Sequence, residues 1–193
     1  MVCIRQCVNN VFVHRMQKTP KESLHIKTIQ HPSPNPNTNK QRANHFFEKT
    51  LQFVCNHNAA SLGTALIRFR GGETEIALEL LNDFSEQFPD DHFADLCKAD
   101  IYQSLEYYDR AAKSLDIFLG HLPCNEEFLT FNHYELLMTN GQNKMFLRNY
   151  DVAEQYFSQA IELDDESVAA FVARAEARAY KLKLKEAEED LFI

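Results

Sequence analysis

The chain has 193 residues, 45% of them hydrophobic, and a formal net charge of −8 from 20 Lys/Arg and 28 Asp/Glu. Such a length holds one or two domains with a buried core, and no run comes near the roughly 18 apolar residues of a membrane span. The acidic balance argues against nucleic acid as a partner, because phosphate binding needs a basic surface, and five cysteines at irregular spacings fit a reduced, cytoplasmic setting better than a disulfide framework.

Residues 1–47 hold seven Lys/Arg and one acid, Glu22, a net of +6, while the remainder holds 13 basic and 27 acidic residues, a net of −14. Residues 1–41 read as a disordered basic tail ending in a Pro/Asn-rich linker. The linker is HPSPNPNTNKQ at residues 31–41, where prolines alternating with polar residues favour extended, solvated chain. The spaced Arg5, Arg15, Lys18 and Lys21 give the tail an alternative reading as a mitochondrial transit peptide. Low serine content and the lack of an amphipathic helix favour the plain tail. Phe47, Leu51 and Val54 share one helical face, so residues 42–57 are predicted to form an N-terminal packing helix.

From residue 58 the chain repeats. Ala65, Ala77, Leu81, Phe84 and Pro89 return 34 residues later as Ala99, Ala111, Leu115, Phe118 and Pro123. Gly141, Ala153, Phe157 and Ala160 form a third set, and Ala175, Ala187 and Leu191 a fourth. The step from Ala111 to Ala153 is 42 and that from Ala153 to Ala187 is 34 again. Repeats are therefore placed at residues 58–91, 92–125, 134–167 and 168–193, the last incomplete, with residues 126–133 inserted. The insertion is expected to lengthen the first helix of the third repeat. A fixed period of this length marks stacked helix–turn–helix units. The apolar residues of each segment fall at three-and-four spacing, as in Ile76, Ala77, Leu80, Leu81, Phe84 and Phe88, which is one face of a helix. Gly71-Gly72 marks a tight interhelical turn. Asp90-Asp91, and later Asp164-Asp165 with Ser167, suit helix N-termini.

At these positions the chain resembles the tetratricopeptide repeat (TPR) family. Its small residue midway through the first helix is matched by Ala65, Ala99, Gly141 and Ala175. Its late-turn aromatic is matched by Tyr108 and Tyr150. Its second-helix Ala is matched by Ala77, Ala111, Ala153 and Ala187, and the bulky residue one turn on by Leu81, Leu115, Phe157 and Leu191. The third repeat departs from the pattern, ending in Asp165 where proline is usual. The resemblance implies an all-α, right-handed α-solenoid of stacked antiparallel helix pairs. Some members grip acidic chaperone C-termini in a carboxylate clamp of Lys, Asn and Arg. The matching positions here hold Leu62, Leu66, Cys97, Glu135 and Thr139, or, one repeat later, Leu96, Asp100, Thr139, Ala169 and Ala173. Neither register supplies the cations, and Arg174 lies one step round its helix.

Catalytic patterns are weak. Gly71-Gly72 is isolated, and the scattered histidines lack metal-ligand spacing. Cys124 near His121 and His133 reads as a turn cysteine, and Glu186, Glu188, Glu189 and Asp190 as a solvated helix face. No enzymatic activity, cofactor or metal is expected. The expected role is a scaffold or adaptor that binds a peptide or helix of another protein in a concave groove. Alternatives are a heat-shock chaperone co-factor with a degenerate clamp, or the non-catalytic part of a larger enzyme. The groove is projected onto Leu62, Leu66, Phe69, Arg70, Phe93, Leu96, Asp100 and Gln103, then Glu135, Met138, Gln142, Met145 and Phe146, then Val172, Glu176 and Tyr180. Asp100 and Glu176 are expected to face solvent. That surface suits a segment with apolar and basic residues. The apolar face of residues 168–193 has no covering helix after it in sequence, so end-to-end self-association is a further expectation.

Overall fold

The structure, a computed structural model, describes Val8, residues 58–121 and residues 127–192. The predicted packing helix over residues 42–57 lies outside the described residues, as does Cys124. Of the predicted tail only Val8 is described; it is helical and buried. Among the described residues there are eight α-helices and no strand: α1 (Asn58–Arg70), α2 (Thr74–Gln87), α3 (Phe93–Ser104), α4 (Tyr108–Gly120), α5 (Glu127–Phe146), α6 (Tyr150–Leu163), α7 (Val168–Tyr180) and α8 (Leu184–Leu191). No helix among them is long and apolar enough to cross a membrane. The chain divides into two compact units, Asn9–Cys97 and Lys98–Ile193 together with Val8.

In the first unit α1 packs on α2. Ala65 and Ala77 are fully buried, because only small side chains let two helices cross closely. Leu81 and Phe84 fill the remaining core, and Phe84 and Phe88 meet at a ring-centroid distance of 5.0 Å. The turn between the helices is made by Gly72 at φ 86°, a left-handed conformation that glycine adopts without strain. Asp91 caps α3, its Oδ1 accepting from the Phe93 N–H at 3.2 Å.

In the second unit each helix from α4 to α8 packs on the next, and α5 also touches α7. The first helices of successive repeats are thus neighbours. The inserted residues lengthen α5 to 20 residues, against 13 in α7. Two apolar clusters hold the stack together. One joins Ala153, Phe157, Ala173 and Ala177 with Met138 and Met145. The other joins Leu137, Ala160 and Ala170 with Tyr134, Tyr156 and Leu119. Ser167 caps α7, its hydroxyl accepting from the Ala170 N–H. Glu106, Arg148 and Leu182 occupy left-handed φ values of 61°, 58° and 61°. They stand where Gly72 stands in the first unit, so one turn geometry recurs although its glycine does not.

Two polar networks tie the second unit together. Asp116 on α4 accepts from Asn140 Nδ2 at 2.7 Å, Lys144 Nζ at 2.6 Å and Tyr156 OH at 2.6 Å. Burial works to raise its pKa, but those three donors outweigh burial and hold it below the usual carboxylate range. On α6, Glu154 accepts from Arg178 Nε at 2.9 Å and Lys181 Nζ at 2.6 Å. Burial again opposes ionisation. Hydrogen bonds from Lys181 and Arg178 overcome it and bring the Glu154 pKa from 4.5 down to about 2. A carboxylate depressed on folding stabilises the fold above its unfolded pKa and loses that effect as pH falls through the folded value. Thermal stability is therefore expected to fall between pH 4.5 and about 2. Melting curves over that window should be flatter for Glu154→Gln, which starts less stable at neutral pH.

Candidate partner-binding cleft

The C-terminal ends of α5 and α7, with the turn after α5, enclose an open cleft of about 560 Å³ lined by Gln142, Met145, Phe146, Arg148, Tyr150, Glu176 and Tyr180. Its aromatic walls are built by a recurring contact. Tyr108, which opens α4, stacks on Phe146, which closes α5, at 4.4 Å and 18°. Tyr150, which opens α6, stacks on Tyr180, which closes α7, at 4.8 Å and 6°. The first residue of one repeat's second helix thus meets the last residue of the next repeat's first helix. Phe146 and Tyr180 remain 55% and 58% exposed. A neighbouring cleft of about 440 Å³ is lined by Glu106, Tyr107, Tyr108, Asp109, Arg110 and Leu147. Arg110 stands 5.7 Å from the Tyr102 ring centroid and 5.8 Å from that of Tyr107.

Gln142, Met145, Phe146, Glu176 and Tyr180 meet in the larger cleft. Val172 is exposed on α7, outside that lining. Met138 is half-buried and packs against both core clusters. Glu135 is half-buried, and burial raises its pKa. In the first unit Phe69 and Phe93 are half-buried and Arg70 is exposed.

Four positions need correction. Leu62, Leu66, Leu96 and Asp100 are 3%, 6%, 1% and 3% exposed, so they are core residues rather than groove lining. Leu62 and Leu96 lie three residues before the fully buried Ala65 and Ala99, and Leu66 and Asp100 lie four residues after Leu62 and Leu96. That spacing puts them on the packed side of the helix. Gln103 is half-buried with its Oε1 closed to solvent. The acidic run also divides. Glu186, Glu188 and Glu189 are exposed, but Asp190 is buried at 4% because it stands three residues after the core alanine Ala187.

Sequence reasoning missed two cleft residues. Tyr150 was assigned to the repeat pattern alone, although its ring also makes a wall. Arg148 carried no signal except that it occupies the turn position held by Gly72 in the first unit.

No family model and no curated relative matches the chain. Solved structures do match. A MamA structure of AMB-1 superposes with a TM-score of 0.65 at 17% identity, covering 81% of each chain. A MamA structure of MSR-1 gives 0.60 at 17% identity, covering 81% of this chain and 85% of that one. A MamA RS-1 ArsTM double mutant gives 0.63 at 12% identity, covering 98% of this chain and 91% of that one. MamA is a TPR-like helical solenoid. The fold of this chain is TPR-like. At such identities the likeness speaks for the fold alone. The TPR-like register explains the cleft, since its lining comes from the ends of neighbouring first helices and the turn beside them.

Proposed function

We propose that the chain is a non-catalytic scaffold that holds a segment of another protein in the cleft between the ends of α5 and α7. The observation that carries this reading is the convergence of Met145, Phe146, Tyr150 and Tyr180 on one open cleft, with Phe146 and Tyr180 more than half in solvent. Exposed aromatics gathered in a concavity lower the free energy when a partner covers them. Helical-repeat folds present such surfaces for extended or helical ligands. A reduced, cytoplasmic setting belongs to this reading, and the one described cysteine, Cys97, is buried.

The carboxylate-clamp alternative finds little support. Three cations near the first-helix ends are held internally: Lys144 by Asp116, Arg174 by Asp190, and Arg178 by Glu154 and Asp190. Self-association is a second contact in this reading. The observation that favours it is the exposure of Leu184, Leu191 and Phe192, at 64%, 61% and 82%.

Site-specific photo-crosslinking tests the cleft. A benzophenone amino acid replacing Tyr180 in the full chain should capture a discrete partner from cell extract. The same group replacing Glu162, exposed on α6, should not.

A further inference from the structure

We propose that the cleft takes a cationic side chain, an arginine or lysine on a partner protein's segment, seated between the rings of Phe146 and Tyr180 and neutralised by Glu176. This deepens the binding reading above and rests on it.

The rings give the first argument. Each has one face covered, Phe146 by Tyr108 and Tyr180 by Tyr150. Each keeps more than half of its surface in solvent while lining the same cleft. An aromatic face carries the negative lobe of the ring quadrupole, which attracts guanidinium and ammonium groups.

Glu176 gives the second. It stands four residues before Tyr180 on α7, which places the two on one side of the helix. It is exposed, lines the cleft and has no ionic partner among the described residues. Several acids on neighbouring elements are engaged. Asp116 holds Lys144, Glu154 holds Arg178 and Lys181, Asp151 holds Lys181, and Asp190 holds Arg174 and Arg178. Glu176 is the carboxylate the cleft offers to a ligand.

Net charge gives the third. Residues 98–193 contain ten Lys/Arg against eighteen Asp/Glu, a net of −8, so the field around the cleft favours a basic segment and steers its approach. Arg148, the cation of the lining, repels a ligand that is basic throughout. The segment that fits carries an acidic residue beside its arginine or lysine.

Fluorescence anisotropy on the full chain tests the assignment. The probes are labelled peptides of sequence Ser-Leu-Leu-X-Asp-Leu-Ser in which X is Arg, Lys, Gln or Glu. The Arg and Lys peptides should bind at least tenfold more tightly than the Gln peptide, and the Glu peptide least. Glu176→Lys should invert that order without shifting the melting temperature, since the side chain it replaces is exposed and unpaired. Tyr180→Leu should weaken the Arg peptide severalfold more than it weakens the Gln peptide. Equal binding of all four peptides, or preference for Glu, overturns the cationic assignment and leaves the binding reading standing. Binding by none of them also overturns it. Crosslinking from position 180 then decides separately whether the binding reading falls too.

Discussion

Asparagine in place of Asp190 is expected to destabilise the chain by about 3–5 kcal/mol, as breaking a buried ion pair from one side does. The Asp190 side chain is 3% exposed. Its Oδ1 accepts from Arg174 Nη2 at 2.6 Å, and its Oδ2 accepts from Arg174 Nε at 3.0 Å and Arg178 Nη1 at 2.8 Å. Removing the charge leaves two guanidinium groups facing an amide that cannot neutralise them. For a chain of this size the melting temperature should fall on the order of 10 °C. Leucine at 190 combined with methionine at 174 should recover most of the loss, because replacing a buried pair by apolar groups of similar volume is often neutral. Arg178 keeps Glu154 in that background. Thermal melts of the three variants decide the matter. A drop under about 1 kcal/mol for the single change would mean that water, not Asp190, neutralises the arginines.

The Gly141–Phe157 contact should be nearly as sensitive, in both directions. Phe157 is fully buried, so truncation to alanine is expected to cost about 3–5 kcal/mol. Gly141 is the other side of that contact. A β-carbon built on it would stand 2.5, 2.8 and 2.9 Å from Phe157 Cε1, Cδ1 and Cζ, closer than van der Waals packing permits. Gly141→Ala therefore overpacks the core. Its cost of about 1–3 kcal/mol is offset by at most about 1 kcal/mol of better helix propensity. In a Phe157→Leu background the same alanine should be harmless or stabilising. Chemical denaturation of the two single variants and the double variant measures the coupling. Additive effects would show that the ring has room to move.

The repeat was legible because close helix crossings demand small residues at fixed intervals. Ala65, Ala77, Ala99, Ala111, Gly141, Ala153, Ala175 and Ala187 announce those crossings, and the structure buries each of them. The lengthened α5 runs from Glu127 to Phe146, and Leu136 and Leu137, just past the inserted residues, are buried in it. The cleft was legible where a first helix presents its C-terminal end, at Gln142, Met145, Phe146, Glu176 and Tyr180. It failed at Leu62, Leu66, Leu96 and Asp100, because periodicity gives the angle of a side chain round its helix but not how far the neighbouring elements close over it. Asp190 and Asp116 show the same limit for charge. Sequence counts Asp190 among solvated carboxylates, yet it is buried between two arginines, and Asp116 draws Asn140 and Lys144 into positions that a helix stack usually fills with apolar groups.

The binding reading is tested most directly by comparing photo-crosslink yields from position 180 in the cleft and position 162 on the outer face of α6. A partner captured at 180, absent at 162 and lost when Glu176→Lys is added is the expected result. Equal capture from both positions would place the partner surface elsewhere on the chain, whereas capture at 180 alone that ignores the charge reversal at 176 would overturn only the cationic assignment.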